Sequence, residues 1–157
     1  MTIRRAAVGD EELLATLNSF VHDLHVHHRP DHFKRPQRTD MVAWFKSTLE
    51  KPTTRALIAE EDDKPVGYVL AIIQYYPGNP STEARSWLEI DQLAVDPHYR
   101  RRGIGRALVF EAIADAKTKG IDKVEAAPWS FNENTHVMFR RLGFAPKAVR
   151  FELKTSG

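Results

Sequence analysis

The stretch Leu93–Ile113, LAVDPHYRRRGIGRALVFEAI, constrains the fold of this chain more than any other. Apolar Leu93, Ala94 and Val95 close a strand, and Asp96-Pro97 ends it, because proline has no N–H to give a ladder. From Gly103 to Lys119, Leu108, Val109, Ala112, Ile113 and Ala116 recur on one helical face, with Gly120 as a stop. Strand, short loop and amphipathic helix in that order make an α/β unit. At the helix start Arg100, Arg101, Arg102 and Arg106 surround Gly103-Ile104-Gly105. Glycine lets backbone approach a ligand, and the first N–H groups of a helix lack intrahelical partners and sit at the positive dipole end. With four guanidinium groups added, the loop suits at least two phosphate charges. It is not a Walker A loop, which needs Lys then Ser or Thr after its second Gly. Nor is it the dinucleotide fingerprint, because Leu108 stands where Gly or Ala is required.

The rest of the chain supplies partners for that unit. Thr2–Ala6 reads as an opening strand, and Asp10 as the N-cap of a helix carrying Leu13, Leu14, Leu17, Phe20, Val21 and Leu24 at helical spacing. Pro30 and Pro36 keep the segment after it, HVHHRPDHFKRP, from regular helix. A second helix is expected over Asp40–Leu49. Arg55–Glu60 and Pro65–Tyr76 flank the turn EEDDKP as a hairpin. Arg85–Val95 reads as a long strand in which alternation puts Trp87, Glu89 and Asp91 on one face. Lys123–Ala127 gives a strand, Asn134–Leu142 a short helix and Ala148–Lys154 a last strand. The order β-α-α-β-β-β-α-β-α-β, without repeat or linker, predicts one α/β domain over 1–157.

Composition narrows the function classes. The 157 residues match a single domain, and 42% hydrophobic content is too high for a disordered chain. A net charge of +2 gives no general reason to expect nucleic acid or a membrane surface as partner. The absence of cysteine removes thiolate nucleophiles and Cys-based metal sites, and suits a reducing compartment. No run approaches the roughly 20 apolar residues of a membrane span, and the first residues lack a signal-peptide core. A cytoplasmic location is expected. His22, His25 and His28 share a helical spacing, yet no carboxylate beyond Asp23 or Asp31 completes a ligand set, so no metal is expected.

The arginine–glycine loop resembles the central motif of the GNAT superfamily of N-acetyltransferases: Gln or Arg, two residues, Gly, one residue, then Gly or Ala. Here it is Arg100-Arg101-Arg102-Gly103-Ile104-Gly105, preceded by the family-like Leu93-Ala94-Val95-Asp96-Pro97. A second family motif, an Asn and then Gly-Phe eleven residues later across a short helix, matches Asn132 to Gly143-Phe144. The resemblance implies the acyl-CoA N-acyltransferase fold: a mostly antiparallel central sheet splayed between strands 4 and 5, flanked by about four helices. It implies acetyl-CoA as co-substrate, with main-chain groups of Leu93, Ala94 and Val95 along the pantetheine arm. The N–H groups from Arg101 through Arg102, Gly103, Ile104 and Gly105 to Arg106 would hold the pyrophosphate. Asn132 would contact the pantetheine and Phe139 would line the thioester end. A bulge near Gln92 or Leu93 is expected at the splay, with a backbone N–H able to polarise the thioester carbonyl.

The chemistry implied is direct attack of an amine on the acetyl carbon. An alkylamine is almost wholly protonated at pH 7, at a cost of about 4–5 kcal/mol, so a base is required. Glu89 and Asp91 stand where different branches of the superfamily place acidic residues; either can be that base or hold a cationic acceptor. Phe139 stands where many members carry a proton-donating Tyr, which leaves the general acid unassigned among water, Tyr68, Tyr75, Tyr76 and Tyr99. The segment LHVHHRPDHF resembles bacterial members of unassigned acceptor, and His25, His27, His28 and His32 either line the acceptor side or lie on the surface. A homodimer follows family habit. The expected function is acetyl transfer to a small cationic amine or a peptide or protein amine. The alternatives are a non-catalytic acyl-CoA-binding regulatory domain and, more weakly, a nucleic-acid-binding domain using Arg100–Arg106.

Overall fold

The computed structural model describes residues 1–156, which divide into two compact units, Met1–Ala127 and the residues from Pro128 onward. In the first unit the order is β1 (Thr2–Arg5), α1 (Glu11–His28), α2 (Arg38–Glu50), β2 (Thr54–Glu61), β3 (Lys64–Tyr76), β4 (Arg85–Val95), a 3-10 turn (Pro97–Tyr99), α3 (Ile104–Thr118) and β5 (Val124–Ala126). The strands form one five-stranded sheet in the order β1-β2-β3-β4-β5. Neighbours are antiparallel as far as β4, and β4 pairs with β5 in parallel. The expected mixed α/β fold is therefore present.

Local chemistry explains the boundaries. The two-residue turn between β2 and β3 has positive φ at both Asp62 and Asp63 (49° and 60°), the type I′ geometry that matches strand twist. Helix α1 runs to His28 and ends at Arg29, since the residue before Pro30 is pushed out of helical conformation. Asp10 occupies the N-cap position without capping α1, because Arg4 takes both of its carboxylate oxygens at 2.9 Å. Helix α3 closes with a Schellman motif: Ile121 N–H donates to Ala116 O at 3.0 Å, Gly120 N–H donates to Lys117 O at 3.1 Å, and Gly120 has φ 71°.

The faces of the sheet follow from β3. Tyr68 and Leu70 join Ala56, Ile58 and Ala94 under Leu14 and Leu17 of α1 and Phe45 of α2. The odd positions face α3: a Cβ added at Gly67 would lie 3.3 Å from Ile104 and 3.4 Å from Leu108. The same Cβ would lie 2.9 Å from Ala94 O, so only glycine lets β3, β4 and the start of α3 meet this closely. Across α3, Arg55 of β2 is bound to Asp115 through two hydrogen bonds of 2.6 and 2.5 Å.

In the second unit α4 spans Glu133–Arg141, with Asn132 at its N-cap position. Phe139 is buried and packs on Phe144 at 4.8 Å between ring centroids, and Gly143 takes φ 97° between them. Residues 148–154 carry no strand, contrary to the expectation from their alternation. The physical reason is that alternation marks a side-chain pattern, whereas a strand exists only where a ladder partner supplies its hydrogen bonds. Val149, Phe151 and Leu153 are 71%, 92% and 85% exposed.

Candidate active site

Strand β4 changes character at one residue. Ala71 of β3 pairs with Ile90, but Leu70 pairs with Gln92, so Asp91 is an extra residue and the strand bulges there. The bulge lies one position before the expected Gln92 or Leu93. On the other side of β4 the pairing with β5 covers only Leu88–Ile90 against Val124–Ala126. From Asp91 to Val95 that edge has no ladder, although its opposite edge stays paired to β3 through Val95. The sheet therefore opens between β4 and β5 at the bulge, and main-chain groups of Leu93, Ala94 and Val95 line the opening.

The loop after β4 delivers the start of α3 beside that edge. Asp96 N–H donates to Val66 O at 2.8 Å, and its carboxylate accepts from the N–H of His98 at 2.9 Å. The His98 backbone N–H, before any other contact, holds the Asp96 carboxyl below the ordinary carboxylate pKa. Arg101 and Gly103 both take left-handed conformations, φ 64° and 77°. Such a conformation in a non-glycine residue is costly and clusters at functional sites. Gly103 is the N-cap of α3, and a Cβ there would meet nothing within 4 Å, so conformation alone selects glycine. The first-turn N–H groups that follow are free of intrahelical bonds.

The four arginines do not act alike. Arg102 donates to Glu61 Oε2 at 3.1 Å and lies over the Tyr99 ring at 5.0 Å, so its side chain fastens the loop to the β2–β3 hairpin. Arg100, Arg101 and Arg106 are exposed and form no ion pair among the described residues. A shallow cavity of about 380 Å³ lined by Gly103, Arg106, Ala107, Phe110 and Glu111 continues from this loop along the outer side of α3.

On the α1/α2 face, Trp87 Nε1 donates to Glu89 Oε2 at 3.0 Å, so these two side chains share a face. Strict alternation stops at Ile90, so Asp91 cannot be placed with them by parity. Asp91 keeps an exposed side chain, yet partial loss of water raises its carboxyl pKa. Next to it, Gln92 Oε1 accepts from Tyr68 Oη at 2.6 Å and from Asn18 Nδ2 at 3.4 Å, while Asn18 Nδ2 also donates to Tyr68 Oη at 3.0 Å. Tyr68 is fully buried, and burial first, then the charge of Asp91, push its phenol well above the ordinary value. Its proton is committed to Gln92, which makes it a poor proton donor for a leaving thiolate.

This Asn18–Tyr68–Gln92 chain was not anticipated from sequence. The readable signal was Asn18 itself, a polar residue on the stripe that holds Leu14, Leu17 and Val21. Of the histidines after it, His22 bonds Lys34 O through Nε2 at 2.6 Å, the rings of His22, His25 and His32 stand edge-on to Phe33, and exposed His27 and His28 stand edge-on to each other. In the second unit, Asn132 and Phe139 sit at the N-cap and in the last turn of α4. Among the described residues no helix is long and apolar enough to cross a membrane.

Comparison with known proteins agrees with this geometry. An uncharacterized N-acetyltransferase of Methanocaldococcus jannaschii is 34% identical over 106 residues, 68% of this chain and 46% of that protein, so the chain spans about half of that relative. A mutant form of the BH1408 protein from Bacillus halodurans has a similar structure at TM-score 0.91 and 30% identity, covering 99% of this chain and 100% of that one. A predicted acetyltransferase of Clostridium acetobutylicum, solved with acetyl-CoA, shares the fold at TM-score 0.72 and 17% identity, over 98% of this chain and 95% of that one. The model of the Acetyltransferase (GNAT) family matches residues 19–144, and the chain belongs to that family.

Proposed function

We propose that this chain is an acetyl-CoA-dependent N-acetyltransferase, a single catalytic domain over 1–157, which moves an acetyl group directly onto an amine. The carrying observation is the coincidence, at one place, of the unladdered β4 edge from Asp91 to Val95 with the free N–H groups after Gly103. An extended amide-bearing arm can add to the first as a strand would, and a pyrophosphate can sit on the second. Arg100, Arg101 and Arg106 supply charge, Arg102 holds the loop, and the main chain from Arg101 to Arg106 supplies donors. Asn132 and Phe139 take the pantetheine and thioester ends by resemblance to the family.

Acetyl-CoA supplies an activated thioester whose thiolate leaves tolerably without an acid, at a thiol pKa of about 8.5. The protein must remove a proton from the amine and support charge on the carbonyl oxygen. Glu89 and Asp91 are the carboxylates for the first task. The raised pKa of Asp91 makes it a stronger base than an ordinary aspartate, and Glu89 accepts a hydrogen bond from the Trp87 indole. Both favour a cationic acceptor, a small amine or a peptide or protein amine.

The test is calorimetric titration with acetyl-CoA on the intact protein and on Gly105→Glu, followed by CoA release across an amine panel. Saturable binding that Gly105→Glu abolishes, with turnover that falls in Glu89→Gln or Asp91→Asn, is expected. Binding without turnover on any amine would instead assign a regulatory acyl-CoA-binding role, a reading that Phe139 in the usual Tyr position favours. No binding by the intact protein refutes both.

A further inference from the structure

We propose, on the acetyltransferase reading above, that Arg85 anchors a carboxylate of the acceptor, so that the amine acetylated here belongs to a molecule that also carries a carboxylate, as a free amino acid does. Strands β3 and β4 set three pairs of side chains on one face: Ile72 opposite Glu89, Gln74 opposite Trp87 and Tyr76 opposite Arg85. Positions 85, 87 and 89 precede the bulge, so plain alternation keeps them together. The guanidinium carbon of Arg85 lies 4.9 Å from the centre of the Tyr76 ring and 5.0 Å from that of Trp87. The same indole donates from Nε1 to Glu89 Oε2 at 3.0 Å. One ring system therefore touches both the arginine and a carboxylate offered above as the base.

Arg85 has acidic neighbours in the chain and pairs with neither. Glu83 and Glu89 stand two and four residues away, yet among the described residues the Arg85 guanidinium forms no ion pair and no hydrogen bond. Ring contacts fix the position of a guanidinium without giving its five N–H donors an oxygen. The side chain is exposed, so those donors meet whatever enters from solvent. A carboxylate presents two oxygens at the spacing of that planar fork. The loop between the strands holds the rings in place. Tyr76 Oη accepts from Asn79 Nδ2 at 2.8 Å, and Asn79 Oδ1 accepts from the N–H groups of Ser81 and Thr82 at 2.8 and 2.9 Å. Only glycine fits at position 78 of this turn, where a Cβ would lie 2.8 Å from both Ala84 N and Thr82 O. The freedom that an arginine side chain gives up on binding is thus lost before the acceptor arrives, which favours binding.

Opposite charges against one indole define the acceptor. Glu89 meets its ammonium and Arg85 its carboxylate, so the molecule that bridges them is a zwitterion. A plain diamine would set its second ammonium against Arg85, and that repulsion selects against it. The transfer balances without a further reactant. The acetyl carbon leaves the CoA sulfur for the acceptor nitrogen; of the two protons the ammonium gives up, one ends on the CoA thiol and one in solvent.

Initial rates of CoA release with amino acids of increasing chain length, each beside its primary amide, provide the test. The amide keeps the size and the amine and removes the negative charge. The intact protein is expected to favour the acid over the amide by roughly tenfold or more in kcat/KM, mostly through KM, the effect of a charge-assisted hydrogen bond. Arg85→Gln should bring that ratio close to one, and Arg85→Lys should keep part of it, since an ammonium supplies the charge without the fork. A ratio near one in the intact protein, an equal fall for acid and amide in Arg85→Gln, or a preference for the matching aminophosphonate would each overturn the carboxylate assignment. A second readout needs no turnover. The Nε–H NMR signal of Arg85, identified by its absence in Arg85→Gln, should shift saturably with the acids and not with the amides, with or without CoA. If no amine of either kind is acetylated, the acetyltransferase reading fails by itself. The Arg85 signal then decides the anchor: a shift with the acids alone supports it, and a signal that stays still overturns it.

Discussion

Tyr68→Phe removes one oxygen atom from the buried link between α1 and the bulge of β4. In the intact protein that oxygen donates to Gln92 at 2.6 Å and accepts from Asn18 at 3.0 Å, with no solvent at Tyr68. The substitution keeps the ring and its edge-on packing against Phe45, so loss of packing contributes little. A net hydrogen bond is worth about 0.5–1.5 kcal/mol, and a buried polar group left unpaired costs about 1–3 kcal/mol. Asn18 and Gln92 already stand 3.4 Å apart, so closing that contact recovers part of the loss. The expected destabilisation is about 1–3 kcal/mol, which for a chain of this size lowers Tm by roughly 2–12 °C. Urea and thermal unfolding of Tyr68→Phe, Asn18→Ala and the double variant measure it, and the pair should couple by at least about 0.5 kcal/mol. Under the acetyltransferase reading, Tyr68→Phe should also lower kcat while leaving the KM for acetyl-CoA nearly unchanged, since the main chain beyond Leu93 is held by β3. Unchanged stability, or additive single effects, would refute the claim that this chain of hydrogen bonds fixes the bulge.

Gly103→Ala should destabilise by about 1–2 kcal/mol, the cost of a left-handed Cβ residue, because nothing lies within 4 Å to add a clash; urea unfolding giving no loss would show that φ 77° is not required. Asp10 is held below the ordinary carboxylate range by Arg4, so its stabilisation is full above about pH 4 and lost as pH falls through the depressed folded value. Asp10→Asn should therefore cost about 0.5–1 kcal/mol at pH 7, modest because Arg4 is 41% exposed, and much less at pH 3; equal losses at both pH values would refute it.

The sequence made the long elements readable because each carries its own punctuation. Helix α3 has an apolar stripe, a glycine start and a glycine stop. The β2–β3 turn has two aspartates that tolerate positive φ. What stayed hidden depends on residues far apart in the chain. Asp10 has the look of a cap, but Arg4 on the neighbouring strand outcompetes the helix for it. Arg102 reads as one more phosphate ligand until Glu61, 41 residues away, takes its guanidinium. The extra residue in β4 has no mark in the alternation: Glu89, Ile90 and Asp91 alternate as an unbroken strand would, the family resemblance points to a bulge one position later, and the pairing with β3 puts it at Asp91. Residues 148–154 are the opposite case, a strand pattern over which no strand forms.

The inserted Asp91 divides β4 into two stretches that can change separately. Before it, Glu89 and Trp87 lie opposite Ile72 and Gln74; after it, Gln92 and Ala94 lie opposite Leu70 and Tyr68, on that same face. Deleting this one residue would restore plain alternation and leave Trp87 and Glu89 on that same face, so the insertion alters the backbone edge and not the facing of the side chains. Side chains at 87 and 89 can change while the backbone from 93 to 95 keeps its ladder to β3. Under the acetyltransferase reading, a lineage that keeps the extra residue can diversify what it modifies without relearning how it binds its donor.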